Sequence, residues 1–265
     1  MDSMSALWAA AGLVVGMAIG LTGIGSGSLM TPILVLLFGQ SPTVAVGTDV
    51  VFSAVTKLAA TASFGLSRRV DWAVVGRLLL GSIPGAALSV AWIWSARNHA
   101  QEIDAVVSRG LAWILAVAAV GLIAQYPLRH LTLQWMVSWS RRAERYAVLL
   151  TALGGAFMGV AVTLTSVGAG TLGIVLLVCL YPLRLSSDRL VATDVAQAVP
   201  VAVVAAAAHS AIGHVDWRLL GWLLAGSVPG VLLASRLAIR LPAAFTRVLI
   251  GLMLAAVCGR LLVLA

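Results

Sequence analysis

"GLTGIGSGSLMTP", Gly20–Pro32, interrupts a stretch that otherwise reads as a membrane helix. Glycines at positions 20, 23, 25 and 27, with hydroxyls at 22, 26 and 28, are poor material for a continuous helix. Glycine loses the most backbone freedom on ordering, and hydroxyls offer the backbone competing hydrogen bonds. Broken backbone in lipid leaves polar groups without partners, so it must be buried in protein or line a wet cavity. The same pattern returns at "TLTSVGAGTLG", Thr163–Gly173, where Gly168 and Gly170 match Gly25 and Gly27 at an offset of 143.

The repeat extends outward from the break. "TDVVFSAV" at Thr48 answers "TDVAQAVP" at Thr193, and "VDWAVVGRLLLGSIPG" from Val70 answers "VDWRLLGWLLAGSVPG" from Val215. From Asp71 to Gly85, nine of fifteen positions are identical at an offset of 145. The chain therefore divides into a first transmembrane repeat (1–126), a basic cytoplasmic linker (127–145) and a second transmembrane repeat (146–265).

Composition sets the class. Of 265 residues, 61% are apolar and 10% charged, against about 25% charged in a soluble domain. Mean hydropathy is +1.06. Successive long apolar runs indicate an all-α polytopic membrane protein, and the alternating short segments of a β-barrel are missing. The start lacks a basic n-region and reads as the first helix of the mature protein rather than a typical signal peptide. Cys179 and Cys258 lie in apolar runs and read as small core residues, not a disulfide or metal pair. Net charge is +8, and 16 of the 17 basic residues are Arg. No segment is long enough to form the soluble basic surface that a nucleic-acid role needs.

Each half reads as a broken helical hairpin plus three transmembrane helices. The segments are about 5–22, 28–38, 44–66, 72–95 and 105–125, then 146–165, 170–181, 190–212, 217–235 and 245–264. At about 1.5 Å per residue, segments 28–38 and 170–181 cover roughly half of a 30 Å core. If each broken pair returns to its own side, the second copy is inverted. Twelve arginines then face one side and four the other, against nine and seven for parallel copies. The excess of basic residues in cytoplasmic loops favours two inverted repeats, with both termini outside a bacterial-type inner membrane. Inverted repeats with glycine-interrupted helices are a transporter signature.

At a break, a helix start presents free N–H groups and partial positive charge, which suits an anion. The candidate substrate-binding residues are Thr22, Gly25, Ser26, Gly27, Ser28, Lys57, Thr165, Ser166, Gly168, Gly170 and Thr171. Small residues that merely let helices pack are the bland alternative. Asp49 and Asp194, each after a Thr, read either as N-caps of the third span or as sites for a coupling proton or sodium ion. Lys57, the only lysine, shares a helix face with Ser53 and Asp49; it reads either as the ion-pair partner of Asp49 or as an attractor for the anion. Ser53, Gln197 and His209 are secondary candidates. Asp71 and Asp216 read as N-caps beside interfacial tryptophans, and "GSIPG" and "GSVPG" as kinks with close helix packing. Met17, Met30 and Met158 read as core.

The pair "GLTGIGSGSLMTPIL…AVGTD" and "TLTSVGAGTLG…VATD", each followed by "VDW…GS(I/V)PG", resembles the TauE/SafE sulfite exporter family of membrane transporters over nearly the whole chain. The resemblance implies movement of small anions, notably sulfite, sulfonates and other organosulfur compounds. Family members often carry a triple-glycine run at the first break, where this chain has Ser26 before Gly27. Many carry Ser or Asn where this chain has Asp49 and Asp194.

The leading expectation is a secondary transporter, of exporter type, for a small sulfur-containing anion held by paired half-helix N-termini. A passive anion channel, or a cation transporter using the paired aspartates, are the alternatives. No nucleophile–base pair, metal triad or phosphate loop marks an enzyme, and no metal, cofactor or nucleic-acid partner is expected.

Overall fold

The long helices are apolar on all sides rather than along one stripe, as suits elements with protein on one face and lipid on another. The computed structural model describes residues 3–22, 26–64, 70–96, 98–131, 146–168, 170–181 and 184–237. In order they form α1 (Ser3–Thr22), a 3-10 turn (Ser26–Ser28), α2 (Met30–Leu36), α3 (Pro42–Phe64), α4 (Trp72–Ser95), α5 (Ala100–Leu131), α6 (Ala147–Thr165), α7 (Leu172–Leu180), α8 (Ser187–Ile212) and α9 (Trp217–Leu237). Five of these, α1, α4, α6, α8 and α9, are long and apolar enough to cross a membrane. The expected spans around α3 and α5 are helices of 23 and 32 residues. Helix α5 runs on to Leu131, so residues 127–131, assigned above to the linker, continue that helix. Polar residues such as Arg129 and His130 are compatible with a helix end. The remainder of the linker and the expected last span, 245–264, lie outside the described residues.

Helix packing is reciprocal between the halves. Helix α1 packs most extensively on α9, and α4 on α6; α3 meets α8, while α4–α8 contact is matched by α9–α3. Glycines make both main contacts. Gly12 and Gly16 of α1 lie against the backbone of Leu223 and Ser227, and Gly226 and Gly230 of α9 against Ala9 and Leu13. Gly155 and Gly159 of α6 lie against Leu78 and Ser82, and Gly81 and Gly85 of α4 against Ala152 and Ala156. A β-carbon at any of these eight positions would fall 1.7–2.7 Å from a backbone carbonyl oxygen. Lipid tails are as apolar as leucine, so close backbone approach, rather than hydrophobic exclusion, drives such contacts. The expectation of close packing at "GSIPG" and "GSVPG" holds.

Outward faces carry large apolar residues, among them Leu80, Leu88, Trp113, Leu153 and Phe157. Cys179 is exposed, and Met17 is partly so, unlike buried Met30 and Met158. The core reading of Cys179 and Met17 is therefore corrected. Lipid accepts small and apolar side chains as readily as a core does.

Both expected caps form. The Asp71 carboxylate accepts the Val74 N–H at 3.3 Å, and that of Asp216 accepts the Leu219 N–H at 3.0 Å. Trp72 and Trp217 beside them are exposed. Each cap is also tied across the halves. The Asp71 N–H donates to the Thr193 hydroxyl at 3.1 Å, and the Asp216 N–H to the Thr48 hydroxyl at 3.0 Å.

Candidate functional site

The two breaks touch. In the first, the 3-10 turn leads through a Leu29 N–H to Ser26 carbonyl bond of 2.8 Å into α2. In the second, α6 ends on Ser166, left-handed at φ 59°, whose N–H donates to the Val162 carbonyl at 2.8 Å. Gly168 and Gly170 follow at φ +154° and +97°, conformations that L side chains rarely adopt. Gly27 packs on the Ser166 carbonyl and the start of Val167. Ser26, Gly27, Ser28, Ser166, Gly168, Gly170 and Thr171 are all buried. Gly25 lies outside the described residues, as does the side chain of Thr22.

Asp49 and Asp194 are not caps. Each is the eighth residue of its helix, counted from Pro42 in α3 and Ser187 in α8. Proline at a first helical position needs no N–H partner and has the right φ, which starts α3 ahead of Asp49. Both carboxylates are buried at the breaks. Asp49 Oδ2 accepts the Thr31 hydroxyl at 2.5 Å. The hydroxyls of Ser26 and Ser166 face the same carboxylate without completing a hydrogen bond. Asp194 Oδ2 accepts the Gly170 N–H at 2.6 Å. Its Oδ1 lies over Gly173, where a β-carbon would fall 1.7 Å away. The Gly170 N–H, expected to await an anion, is thus already held by a carboxylate of the chain.

Lys57 is buried and acts electrostatically on both carboxylates. Ser53 is buried on α3, and Gln197 on α8 keeps its Oε1 without a hydrogen-bond partner, as do the Thr171 and Ser166 hydroxyls. Thr165 is turned back on its own helix end: its hydroxyl donates to the Ala161 carbonyl at 2.7 Å and accepts the Val167 N–H at 3.2 Å. His209 forms a separate group, its Nε2 2.9 Å from the Thr163 carbonyl and its ring 5.7 Å from that of His214.

Sequence reasoning missed two features. Thr31 sits inside the opening motif, but only the fold shows its hydroxyl aimed at Asp49. The other is a polar network at the start of α4. Arg184 Nε and Nη2 donate to the two oxygens of Asp71 at 2.9 and 3.1 Å, and Arg189 lies 3.8 Å away. Tyr181 lies under Arg184 and pairs its hydroxyl with that of Thr151 at 2.8 Å. Burial alone would raise the Asp71 carboxyl. Hydrogen bonds from Arg184 and Val74, with the charges of Arg184 and Arg189, outweigh burial and hold it below the usual carboxylate range.

Residues 8–261 match the family model described as "Sulfite exporter TauE/SafE". A Bacillus subtilis (strain 168) protein, "Probable membrane transporter protein YjnA", is 35% identical over 233 residues, covering 86% of this chain and 88% of its own. No solved structure matches the chain.

Proposed function

The chain belongs to the TauE/SafE sulfite exporter family of membrane transporters, and on that premise we propose that it is a secondary exporter of a small sulfur-containing anion such as sulfite or an organosulfonate. The observation that carries this reading is the contact of the two glycine breaks, with unpartnered hydroxyls of Ser26, Ser166 and Thr171 buried around it. Those hydroxyls, Ser28 and Lys57 are the donors for the anion, each hydroxyl giving its proton while its oxygen lone pairs stay available to a cation. Reciprocal packing of α1 on α9 and α4 on α6 supports two inverted copies that rock about the site, with both termini outside.

Charge supplies a reason for coupling. Two carboxylates and one ammonium leave the site with a net negative charge when all are ionised. An anion entering that dry centre is repelled unless a proton or cation neutralises a carboxylate. Asp49 and Asp194 are in this reading the coupling groups.

The test is charge movement in proteoliposomes on a solid-supported membrane, with sulfite, thiosulfate, sulfate, taurine, sulfoacetate and chloride, each with and without pH or sodium gradients. A gradient-dependent current with one sulfur anion is the expected result. Currents for chloride alone, indifferent to gradients, would replace the transporter with a passive channel.

A further inference from the structure

We infer that Asp49, Ser26 and Ser166 form a monovalent-cation site of sodium type, shared between the two halves. This deepens the transporter reading, on which only the coupling role of the ion rests.

The donor set is the first argument. Asp49 Oδ1, Ser26 Oγ and Ser166 Oγ are all buried, and none has a hydrogen-bond partner among the described residues. Both hydroxyls face the carboxylate. The Thr31 hydroxyl fixes Oδ2 and leaves Oδ1 for a ligand. A proton on Oδ1 completes one bond; a small hard cation takes lone pairs from every oxygen at once. One carboxylate among neutral oxygens balances a single positive charge. Among the described residues no group of three acidic, His or Cys side chains offers a site for a more highly charged metal.

The backbone is the second argument. Ser166 is the C-cap of α6. A helix C-terminus carries partial negative charge and favours a cation, and such ends coordinate sodium where transporter helices break.

The third argument is the divergence of the repeats. At the offset of 143, the counterpart of Ser26 is Ala169, that of Ser166 is Gly23 and that of Thr31 is Ile174. At the offset of 145, the counterpart of Lys57 is Ala202. In sequence, the three hydroxyl residues grouped with Asp49 thus have no hydroxyl counterpart in the other copy. Asp194 instead holds the Gly170 N–H. Lys57 also acts on Asp49. The two carboxylates thus have unlike partners, and the facing hydroxyls of Thr31, Ser26 and Ser166 are those of Asp49.

The experiment uses the purified full chain in lipid nanodiscs. Sodium chloride replaces choline chloride at constant ionic strength and pH, with potassium chloride as a parallel series. Unfolding temperature and fluorescence of the nine tryptophans are followed. A saturable response to sodium but not potassium is expected. Asp49→Asn should abolish it, and Ser166→Ala and Ser26→Ala should each raise the sodium Kd about tenfold, or roughly 1.4 kcal/mol. If Asp49→Asn fails to fold, the two serine variants, which lose only a hydroxyl, decide the matter. A wild-type response to pH alone, or sodium affinity unchanged in both serine variants, overturns the site. No substrate enters the assay, so a silent anion panel leaves the site standing, and loss of the site leaves the anion reading standing.

Discussion

Gly27 lies so close to Ser166 that a β-carbon at position 27 would fall 1.8 Å from the Ser166 carbonyl oxygen. The two breaks, 139 residues apart by subtraction of their numbers, are thus in backbone contact. Gly27→Leu should abolish transport by forcing the breaks apart. Gly168→Leu should do the same through its backbone, since φ +154° disfavours a side chain. Membrane insertion, set by the apolar spans, should persist in both. Uptake or current assays, beside quantification of folded protein in the membrane fraction, separate the two effects. Normal transport by both variants would remove the breaks from the mechanism.

The paired helix contacts predict equal effects at related positions. Gly81→Leu and Gly226→Leu should each destabilise the fold by about 1–3 kcal/mol or more through overpacking. Thermal unfolding of the two variants side by side checks this. A large loss in only one would show that the two contacts do not carry equal weight.

Asp71 predicts a pH signature. Its carboxyl is held below the ordinary value in the fold, so its stabilisation is fully present above the unfolded-state pKa of about 3.9 and is lost as pH falls through the folded value. Wild type should exceed Asp71→Asn in unfolding temperature at pH 6, and the gap should close below about pH 4. Asn still caps the helix, so the change removes only the charge facing Arg184 and should cost about 1 kcal/mol or less at neutral pH. A constant gap across this range would mean that Asp71 charge does not matter.

Lys57 predicts a rescue. A buried ion pair broken on one side costs about 3–5 kcal/mol. Lys57→Met should therefore unfold readily, and Lys57→Met with Asp194→Asn should regain most of the loss. Pairing the same lysine change with Asp49→Asn should also restore stability, because Lys57 acts on both carboxylates. Rescue by neither would show that the lysine charge does not matter to them.

Asp49→Asn combined with Asp194→Asn should remove the response of transport to pH and sodium gradients while leaving downhill movement of the anion. Gradient dependence that survives the double change would reduce both residues to structural roles.

The sequence by itself determined that this is a helical membrane protein of two related halves, each broken at a glycine-rich point. Those facts follow from local properties: apolar runs, missing charges, and glycines that recur at a fixed offset. The caps at Asp71 and Asp216 were legible for the same reason, because a cap engages an N–H three residues on. What lies inside was not legible. An apolar run looks the same facing lipid or protein, so Met17 and Cys179 could not be told from Met30. The unlike surroundings of Asp49 and Asp194 were hidden too. They occupy matching places in the repeat, and only the fold brings Thr31 and Ser166 to one and Gly170 to the other. The Arg184–Asp71 pair, 113 residues apart, belongs to the same class. Local patterning sets which helices form and where they break; the partners of buried charges are set by which helices come to lie together.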